Sequence, residues 1–426
     1  MACRRIRVDW LHASRPLSIP HWLLAILGST LSVGTIGTIL LWGSVWIRLE
    51  HWMRVVPTLR LGQALAAADP PTGRVCVIVP AYNEAGVIAA LIRSLKAETY
   101  PQLRVVLALD RCRDDTASLA RAEIASDERF EIIEIDACPA HWAGKVHAVH
   151  LGVTRSSSAA DADYLLFADA DTVFMPGCIA ASVAMMRHGK LDILSLLPTL
   201  THDTWFERVV QTATVFELLR QYPLTLANAL KDRRPFANGQ FMLFTRDAYV
   251  DVGGHEAVKQ ALLEDLALAQ LIEAKGRKSG VFLAAGLFHC RMYADWAEFR
   301  RGWKRIYTEA AHRKARRLSL SARWMRWLGT ILPAWMLSAG PLGALVFLGD
   351  SPMGWTVLSL WPVALLLWLG PLLRISTLSR APRWTAPLHI VGAWLTADLL
   401  SEAARDLRRR KPTRWGGREY IRHEKA

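Results

Sequence analysis

The chain has 426 residues, enough for one catalytic domain of roughly 230 residues together with membrane segments. Its mean hydropathy of +0.17 and its 18 tryptophans are high for a soluble protein. A formal net charge of +14 would suggest nucleic-acid binding in a soluble chain, but no nucleic-acid-binding motif accompanies it, so we expect no nucleic-acid partner. The six cysteines lack metal-ligand spacing, which indicates reduced thiols facing a cytosol.

The first predicted element is a membrane-spanning helix at residues 22–47. This stretch contains no charged residue, and Trp22 lies at one end while Trp42 and Trp46 lie near the other. Tryptophans at both ends are expected where a helix crosses the two membrane interfaces. A signal peptide is the alternative, but the run is too long and no small-residue cleavage site precedes the next charges.

Apolar β-runs alternate with helical patterns in the next part of the chain. The runs occupy residues 75–80, 103–109, 131–135 and 164–167, and polar residues follow them. Strands that alternate with helices predict a mostly parallel sheet, whose carboxyl edge binds ligands.

Two carboxylates, Asp169 and Asp171, directly follow the last of these runs. Because side chains alternate along a strand, both carboxylates point to the same side. Such hard oxygen ligands suit Mg²⁺ or Mn²⁺, ions that usually complete their coordination with substrate phosphates. The alternative is that both carboxylates merely cap the following turn.

Five short motifs lie in the order seen in family 2 glycosyltransferases. The motifs are Pro80-Ala81-Tyr82-Asn83-Glu84, the run from Asp110 to Thr116, Gly144-Lys145, Asp169-Ala170-Asp171, and Gly253-Gly254-His255 followed by Leu263-Glu264-Asp265. Over about residues 74–310 the chain resembles the membrane-attached members that glycosylate hopanoids and carotenoids and, more distantly, ceramide glucosyltransferases. The resemblance implies an α/β fold, namely a GT-A nucleotide-diphospho-sugar transferase domain with N- and C-terminal transmembrane helices.

The early loops are assigned to the nucleotide-sugar donor by this resemblance. Pro80, Ala81 and Tyr82 would form the first turn against the nucleotide. Glu84 would contact the ribose or base, and Asp110 would accept a hydrogen bond from the uracil ring of a UDP-sugar.

The resemblance also assigns the diphosphate leaving group. It implies Asp171 as the first-choice ligand of Mg²⁺ or Mn²⁺, acting as Lewis acid. Asp169 would contact the ribose or assist the metal, and Lys145 would place a cation near the diphosphate.

Asp265 is the general base by the family match, with Glu264 beside it. In a site emptied of water by the bound lipid and sugar, the pKa of Asp265 would rise towards working pH. An acidic pair that favours a helix dipole is the alternative. A single base with direct attack predicts inversion at the anomeric carbon.

The acceptor side rests on three residues. Gly239 lies in a loop that resembles the one flanking the acceptor and allows close backbone approach. His255 either orients the substrate or is structural. Trp303 is the expected stacking platform, but Gly302 stands where many relatives have an arginine, which disfavours a processive polysaccharide synthase.

The C-terminal part predicts further membrane contact. Two more spans are expected at 327–349 and 353–373, whereas residues 384–404 would re-enter the membrane or lie flat in the interface. The basic residues and tryptophans from 291 to 326 suit an anionic membrane surface. The positive-inside rule favours a multi-pass cell-membrane protein with a cytoplasmic catalytic domain and tail.

The predicted function is transfer of a sugar from a nucleotide-diphosphate sugar to a lipid such as a hopanoid or carotenoid. A polysaccharide-extending synthase and a non-catalytic membrane scaffold are the alternatives. The predicted organisation is a basic segment at 1–21, a transmembrane helix at 22–47, a linker at 48–73, the catalytic domain at 74–310, a basic juxtamembrane segment at 311–326, a membrane region at 327–404 and a basic tail at 405–426.

Overall fold

The computed structural model describes residues 21–229, 231–347, 352–415, 418–421 and 423–424. The chain divides into two compact units. We call residues 1–45 with 332–370 the helical unit and residues 46–331 with 371–426 the sheet unit. The predicted basic segment at 1–21 lies outside the described residues except for its last residue, His21.

The strands build three sheets in the sheet unit. A seven-stranded sheet has the order β3-β2-β1-β4-β8-β6-β9, a second has the order β5-β10-β7, and β11 pairs with β12. The strands are β1 (Val75–Ala81), β2 (Leu103–Asp110), β3 (Phe130–Ile135), β4 (Tyr164–Ala168), β5 (Thr172–Phe174), β6 (Ile193–Leu197), β7 (Thr199–Leu200), β8 (Phe241–Thr245), β9 (Ser279–Leu283), β10 (Phe288–Cys290), β11 (Thr413–Trp415) and β12 (Arg418–Tyr420).

The large sheet is mostly parallel, as the sequence predicts. β1 pairs in parallel with β2 and with β4, whereas β8 runs antiparallel to β4 and β6. Along β1 the side chains alternate between the two faces. Val75, Val77 and Val79 join the core on one face, and Cys76 and Ile78 join the core on the other. This double burial explains why the strand reads as one continuous apolar run.

The small sheet brings a distant segment to the end of β4. In the β5–β10 pair, Cys290 lies opposite Thr172, and the Arg291 N–H donates to the Asp171 carbonyl over 3.1 Å. The residues that precede β10 are separated from β4 by more than a hundred positions. The pairing therefore places β10 next to the carboxyl end of β4, a contact that local sequence patterns do not predict.

The described part of the chain contains sixteen α-helices. They are α1 (His21–Val55), α2 (Leu59–Ala68), α3 (Ile88–Lys96), α4 (Thr116–Ile124), α5 (Gly144–Arg155), α6 (Ser157–Ala160), α7 (Cys178–Gly189), α8 (Thr212–Gln221), α9 (Leu224–Ala227), α10 (Arg246–Asp251), α11 (Glu264–Ala274), α12 (Trp296–Ala310), α13 (Ala315–Arg326), α14 (Leu332–Phe347), α15 (Pro352–Ser379) and α16 (His389–Arg408), with shorter 3₁₀ or π segments at Glu207–Gln211, Gly254–Val258, Trp327–Ile331 and Arg383–Leu388.

Helices α12, α13 and α16 share one apolar cluster, which we call the helical platform. Within this platform, a row of acids on α16 forms ion pairs with cations on α12 and α13. Asp398 accepts from Arg326 over 2.6 Å, Asp406 accepts from Lys304 over 2.7 Å, and Glu402 pairs with Arg300.

This pairing changes the interpretation of the predicted basic surface between 291 and 326. Arg300, Lys304 and Arg326 are engaged within the protein. The exposed cations of this segment are Arg291, Arg301, Lys314, Arg316, Arg317 and Arg323, and the last four lie on or next to α13.

Two helices in the described part of the chain are long and apolar enough to cross a bilayer, at Gly28–Val55 and Val357–Ser379. They overlap the first and third predicted spans. The second predicted span, 327–349, is helical from Trp327 to Phe347. Its last two residues lie outside the described part, and its crossing of the membrane stays a prediction.

Candidate active site

A lysine joins the two predicted halves of the site. Lys145 Nζ lies 2.6 Å from Asp169 Oδ1 and 2.6 Å from Glu264 Oε1. Lys145 comes from the first turn of α5, Asp169 follows β4, and Glu264 is the first residue of α11. The structure therefore brings together residues that the sequence places in three separate motifs.

This bridge changes the predicted role of Lys145. Burial alone would lower the pKa of its ammonium group, but the Asp169 and Glu264 carboxylates outweigh burial and raise it. Lys145 is therefore cationic, and its charge is already shared between two carboxylates. A nearby diphosphate would meet a lysine that is held in place rather than a freely moving one.

Asp265 is held by backbone groups on both of its oxygens. Oδ2 accepts from the Gly239 N–H over 2.9 Å, and Oδ1 accepts from the Leu266 N–H over 2.7 Å. Burial, together with the neighbouring Glu264 carboxylate, raises the pKa of Asp265 to about 6. The side chain is thus oriented, ionised near neutral pH and still basic enough to accept a proton.

Gly239 makes this convergence sterically possible. A Cβ atom at this position would lie 3.1 Å from Glu264 Oε1, 3.2 Å from Lys145 Nζ and 3.3 Å from Asp265 Oδ2. Any side chain would push against these three groups at once. Gly239 therefore allows the backbone to lie close to Lys145, Glu264 and Asp265, and its predicted place beside the acceptor stays a prediction.

Glu264 and Asp265 are neighbours with opposite pKa shifts. Burial would raise the pKa of Glu264, but the ion pair with Lys145 outweighs burial and lowers it. Glu264 is therefore a permanently charged partner of Lys145. Asp265 lacks an ion-pair partner among the described residues, which leaves it as the better proton acceptor.

A second group of carboxylates lies on the donor side. Burial raises the pKa of Asp171 well above its usual value, and Asp169 and Glu84 raise it further. Burial and Asp169 likewise raise the pKa of Glu84 to about 7. For Asp169 itself, burial outweighs the opposing Lys145 charge and raises the pKa. Among the described residues of this edge, carboxylates therefore outnumber the cations that could pair with them.

The residues of this edge fit a divalent cation. Asp171 Oδ1 is buried and has no hydrogen-bond partner within the described residues. No group of three or more His, Cys, Asp or Glu side chains is arranged around a common metal position in the part of the chain that the structure describes. Two carboxylates are nevertheless a sufficient protein contribution for Mg²⁺ or Mn²⁺ when substrate phosphates and water supply the remaining ligands.

The donor loops lie at the carboxyl ends of β1 and β2. Pro80 and Ala81 end β1, and Tyr82 follows. Both oxygens of Asp110 accept from Arg111, over 2.8 and 2.7 Å, and the Arg111 guanidinium stacks 5.3 Å from the Tyr82 ring centre. Each Asp110 oxygen keeps a free lone pair, so the predicted contact with a uracil ring stays a prediction.

Trp303 is not accessible to a substrate, although the sequence predicts that a sugar stacks on it. Its side chain is 1% exposed and packs between Phe299 and Tyr307 in the core of the helical platform. A sugar ring cannot stack on a tryptophan whose faces are covered, so that prediction is wrong for this conformation.

His255 is a structural residue of the core. Its ring lies 4.7 Å from that of Phe167, and Nδ1 is 2.9 Å from the Tyr249 hydroxyl. Burial lowers the pKa of His255 to about 3. The neutral ring is fixed by its neighbours, which decides between the two predicted roles.

Two site neighbours were absent from the sequence-based prediction. Gln240 Nε2 lies 2.9 Å from Cys290 Sγ, and the neighbouring Cys290 thiol opposes the rise in the pKa of Asp171. In addition, Tyr420 from the C-terminal tail reaches the first residue of α5, with 3.5 Å between its oxygen and the Gly144 nitrogen. Both contacts join distant segments, and no local pattern indicates them.

Comparison with known proteins gives one family match. Residues 76–253 match the model described as Glycosyl transferase family 2. The matched segment includes the loops that hold Asp110, Lys145 and Asp171, and it ends before Asp265.

A curated relative is a 4,4'-diaponeurosporenoate glycosyltransferase of Staphylococcus aureus (strain MRSA252). It is 25% identical over 255 residues, which cover 58% of this chain and 65% of the relative. The match therefore spans just under two thirds of the relative's own length.

Two solved structures are similar at low identity. Mannosyltransferase PcManGT from Pyrobaculum calidifontis, in complex with GDP-Man and Mn²⁺, is 18% identical with a TM-score of 0.46, covering 89% of this chain and 99% of that chain. Residues 1–349 of TarS from S. aureus, in complex with UDP-GlcNAc, are 13% identical with a TM-score of 0.39, covering 82% and 96%.

Proposed function

We propose, from the match of residues 76–253 to the Glycosyl transferase family 2 model, that the chain transfers a sugar from a nucleotide-diphosphate sugar to a membrane lipid. The observation that carries the proposal is the junction around Gly239. There the fixed carboxylate of Asp265, the Lys145 ammonium group and Glu264 converge, and Lys145 continues to Asp169 on the donor side. A group-transfer enzyme needs this arrangement, because it must hold a leaving group and activate a nucleophile at one place.

Asp265 acts as the general base in this proposal. The acceptor hydroxyl gives its proton to an Asp265 carboxylate oxygen while the hydroxyl oxygen forms a bond to the anomeric carbon. The bond from that carbon to the diphosphate oxygen breaks, and the electron pair leaves with the nucleoside diphosphate. Direct attack by the acceptor inverts the anomeric configuration.

Asp171 and Asp169 would hold a divalent cation on the donor side. The unpartnered Asp171 Oδ1 and the excess of carboxylates support this assignment. When bound, Mg²⁺ or Mn²⁺ would neutralise the charge that develops on the diphosphate. Lys145 cannot supply that neutralisation alone, because it already balances Asp169 and Glu264.

A lipid acceptor is supported by three observations. The curated relative is named for a carotenoid-derived acid. Two described helices are long and apolar enough to cross a bilayer. The α12–α13 region directly follows the site and exposes cations together with Trp324 and Trp327, a combination that suits the headgroup layer. A cytoplasmic catalytic domain on a multi-pass chain belongs to the same proposal.

The test uses the full chain in liposomes of phosphatidylcholine and phosphatidylglycerol. UDP-glucose and GDP-mannose serve as donors, and a hydroxylated hopanoid and a carotenoid acid serve as acceptors. Release of nucleoside diphosphate and mass spectrometry of the lipids are measured with and without Mn²⁺. We expect a lipid heavier by one sugar and dependent on the metal ion. A polymeric product would favour a polysaccharide synthase, and absence of both donor cleavage and product would favour a scaffold.

A further inference from the structure

The first turn of α5 fixes the position of Lys145. Lys145 is the second residue of this helix, so its backbone position follows from how the helix begins. The residue before the helix, Ala143, has no polar side chain and makes no side-chain cap. The first N–H groups of a helix have no partner within the helix and need one from elsewhere.

A tyrosine from the far end of the chain supplies an oxygen at this point. The Gly144 N–H donates to the Tyr420 hydroxyl oxygen over 3.5 Å. The Tyr420 ring packs against the core cluster that contains Trp142, Ala143 and Val146. The tail thus contacts the start of α5 both through an apolar face and through a polar atom.

The tail that carries Tyr420 is attached to the helical platform at two places. At its beginning, the Lys411 N–H donates to the Asp406 carbonyl at the end of α16 over 2.9 Å. Beyond the β11–β12 hairpin, in which Tyr420 lies opposite Thr413, Glu424 Oε1 accepts from the Ala315 N–H at the start of α13 over 2.9 Å. The described part of the tail therefore spans from the platform to the active site.

We propose that Tyr420 is a positioning residue that caps α5 and thereby holds Lys145 between Asp169 and Glu264. The assignment rests on the proposed function, since it gives Tyr420 a role in that same site. Tyr420 does not act on the substrate. It fixes the backbone from which the bridging lysine extends, and the tail couples this backbone to the platform helices α13 and α16.

A purely structural role would need only the ring. The phenol ring covers apolar surface whether or not it carries a hydroxyl group, whereas capping requires the oxygen. Tyr420→Phe keeps the ring and removes the oxygen, and Tyr420→Ala removes both. Ile421→Ala is the matched control, because Ile421 is the next residue and its side chain is 65% exposed.

The experiment measures hydrogen–deuterium exchange and kinetics on the full chain in lipid nanodiscs. A hydrogen bond of 3.5 Å is weak, and its loss corresponds to about a two-fold effect. For Tyr420→Phe we expect about two-fold faster exchange in the peptide covering residues 142–147, kcat lowered by a similar factor, and an unchanged acceptor KM and unfolding midpoint. Tyr420→Ala should show larger losses, and Ile421→Ala none.

Wild-type exchange and wild-type kcat in Tyr420→Phe, with losses confined to Tyr420→Ala, would overturn the capping role and leave only packing. If the wild-type chain transfers no sugar from UDP-glucose or GDP-mannose, the proposed function fails. The exchange of residues 142–147 in the three variants still decides whether Tyr420 caps α5.

Discussion

The active-site edge and the helical platform both contain carboxylates and cations, but the number of cations per carboxylate differs between the two regions. In the platform, Asp398, Glu402 and Asp406 each have a cation of their own. At the site, Lys145 is the ion-pair partner of both Asp169 and Glu264.

The active-site edge also contains unpaired carboxylates. Glu84, Asp171 and Asp265 have no ion pair among the described residues, and the pKa of each is raised, in every case mainly by burial. Matched charges hold the platform helices together. Unmatched carboxylates leave the edge ready to take up a metal ion and a proton.

The largest loss of activity is expected at the unpaired carboxylates of the active-site edge. Asp171→Ala should abolish sugar transfer, because it removes the carboxylate whose buried Oδ1 lacks a partner. Asp161→Ala, an exposed acid that follows α6, is the control. Turnover and Mn²⁺-dependent donor binding are measured for both. Full turnover in Asp171→Ala, or in wild-type protein treated with EDTA, would contradict the metal assignment.

Replacing one lysine in the active site and one in the helical platform compares how much each ion-pair group contributes to the free energy of unfolding. Lys145→Met should lower the free energy of unfolding by about 2–3 kcal/mol, less than for a fully buried pair because Lys145 keeps 22% exposure. Lys304→Met should cost about 1 kcal/mol or less, because its partners Glu402 and Asp406 are 24% and 32% exposed, whereas Glu264 beside Lys145 is 6% exposed. In addition, Glu402 keeps Arg300. Equal losses in denaturant unfolding of the two variants would remove the distinction between the regions.

The pH dependence tests how Glu264 acts on its neighbour. Only the carboxylate form of Asp265 accepts a proton, so kcat/KM should rise with pH as Asp265 loses its proton at about 6. Because the Glu264 charge raises that pKa, Glu264→Gln should move this acid limb to lower pH. Glu256→Gln, an exposed acid on the preceding segment, should leave it in place. An unmoved limb in Glu264→Gln would show that Asp265 is not the group that titrates.

The smallest effect is expected on the exposed face of the platform. Replacing Lys314, Arg316, Arg317 and Arg323 with Gln should raise the acceptor KM a few-fold in anionic liposomes and leave the donor KM unchanged, because salt screens the attraction between exposed cations and an anionic surface. The control replaces Arg155, Arg187, Lys190 and Lys278, which are exposed elsewhere on the sheet unit. The same KM change in both sets would indicate a general charge effect.

The sheet and its ligand-binding edge could be predicted from sequence because both follow from local patterns. A strand buried on both faces gives a continuous apolar run, and polar residues after parallel strands meet at one edge. Asp169 and Asp171 therefore lie where their sequence positions indicate. The contact between Lys145 and Glu264 was not predicted, because no local pattern joins α5 to α11.

Trp303 and Tyr420 could not be placed for a different reason. An aromatic residue on an amphipathic helix faces either a substrate or another helix, and the platform contacts that decide this for Trp303 come from segments far away in sequence. Tyr420 lies 276 positions from its partner Gly144. The position of Cys290 next to Asp171 also depends on long-range packing and could not be predicted from local sequence.

The central claim is that Asp265 removes a proton from the acceptor, and the nature of the acceptor gives the most direct test. A lipid alcohol needs a base, whereas a lipid carboxylic acid is already ionised at neutral pH. We measure turnover of Asp265→Asn with both acceptors, next to Asp247→Asn, an exposed acid in the first turn of α10. Transfer to the alcohol should fall by at least about 100-fold, while transfer to the acid and the affinity for the donor should change little. Equal losses on both acceptors, or undiminished transfer to the alcohol, would contradict the account.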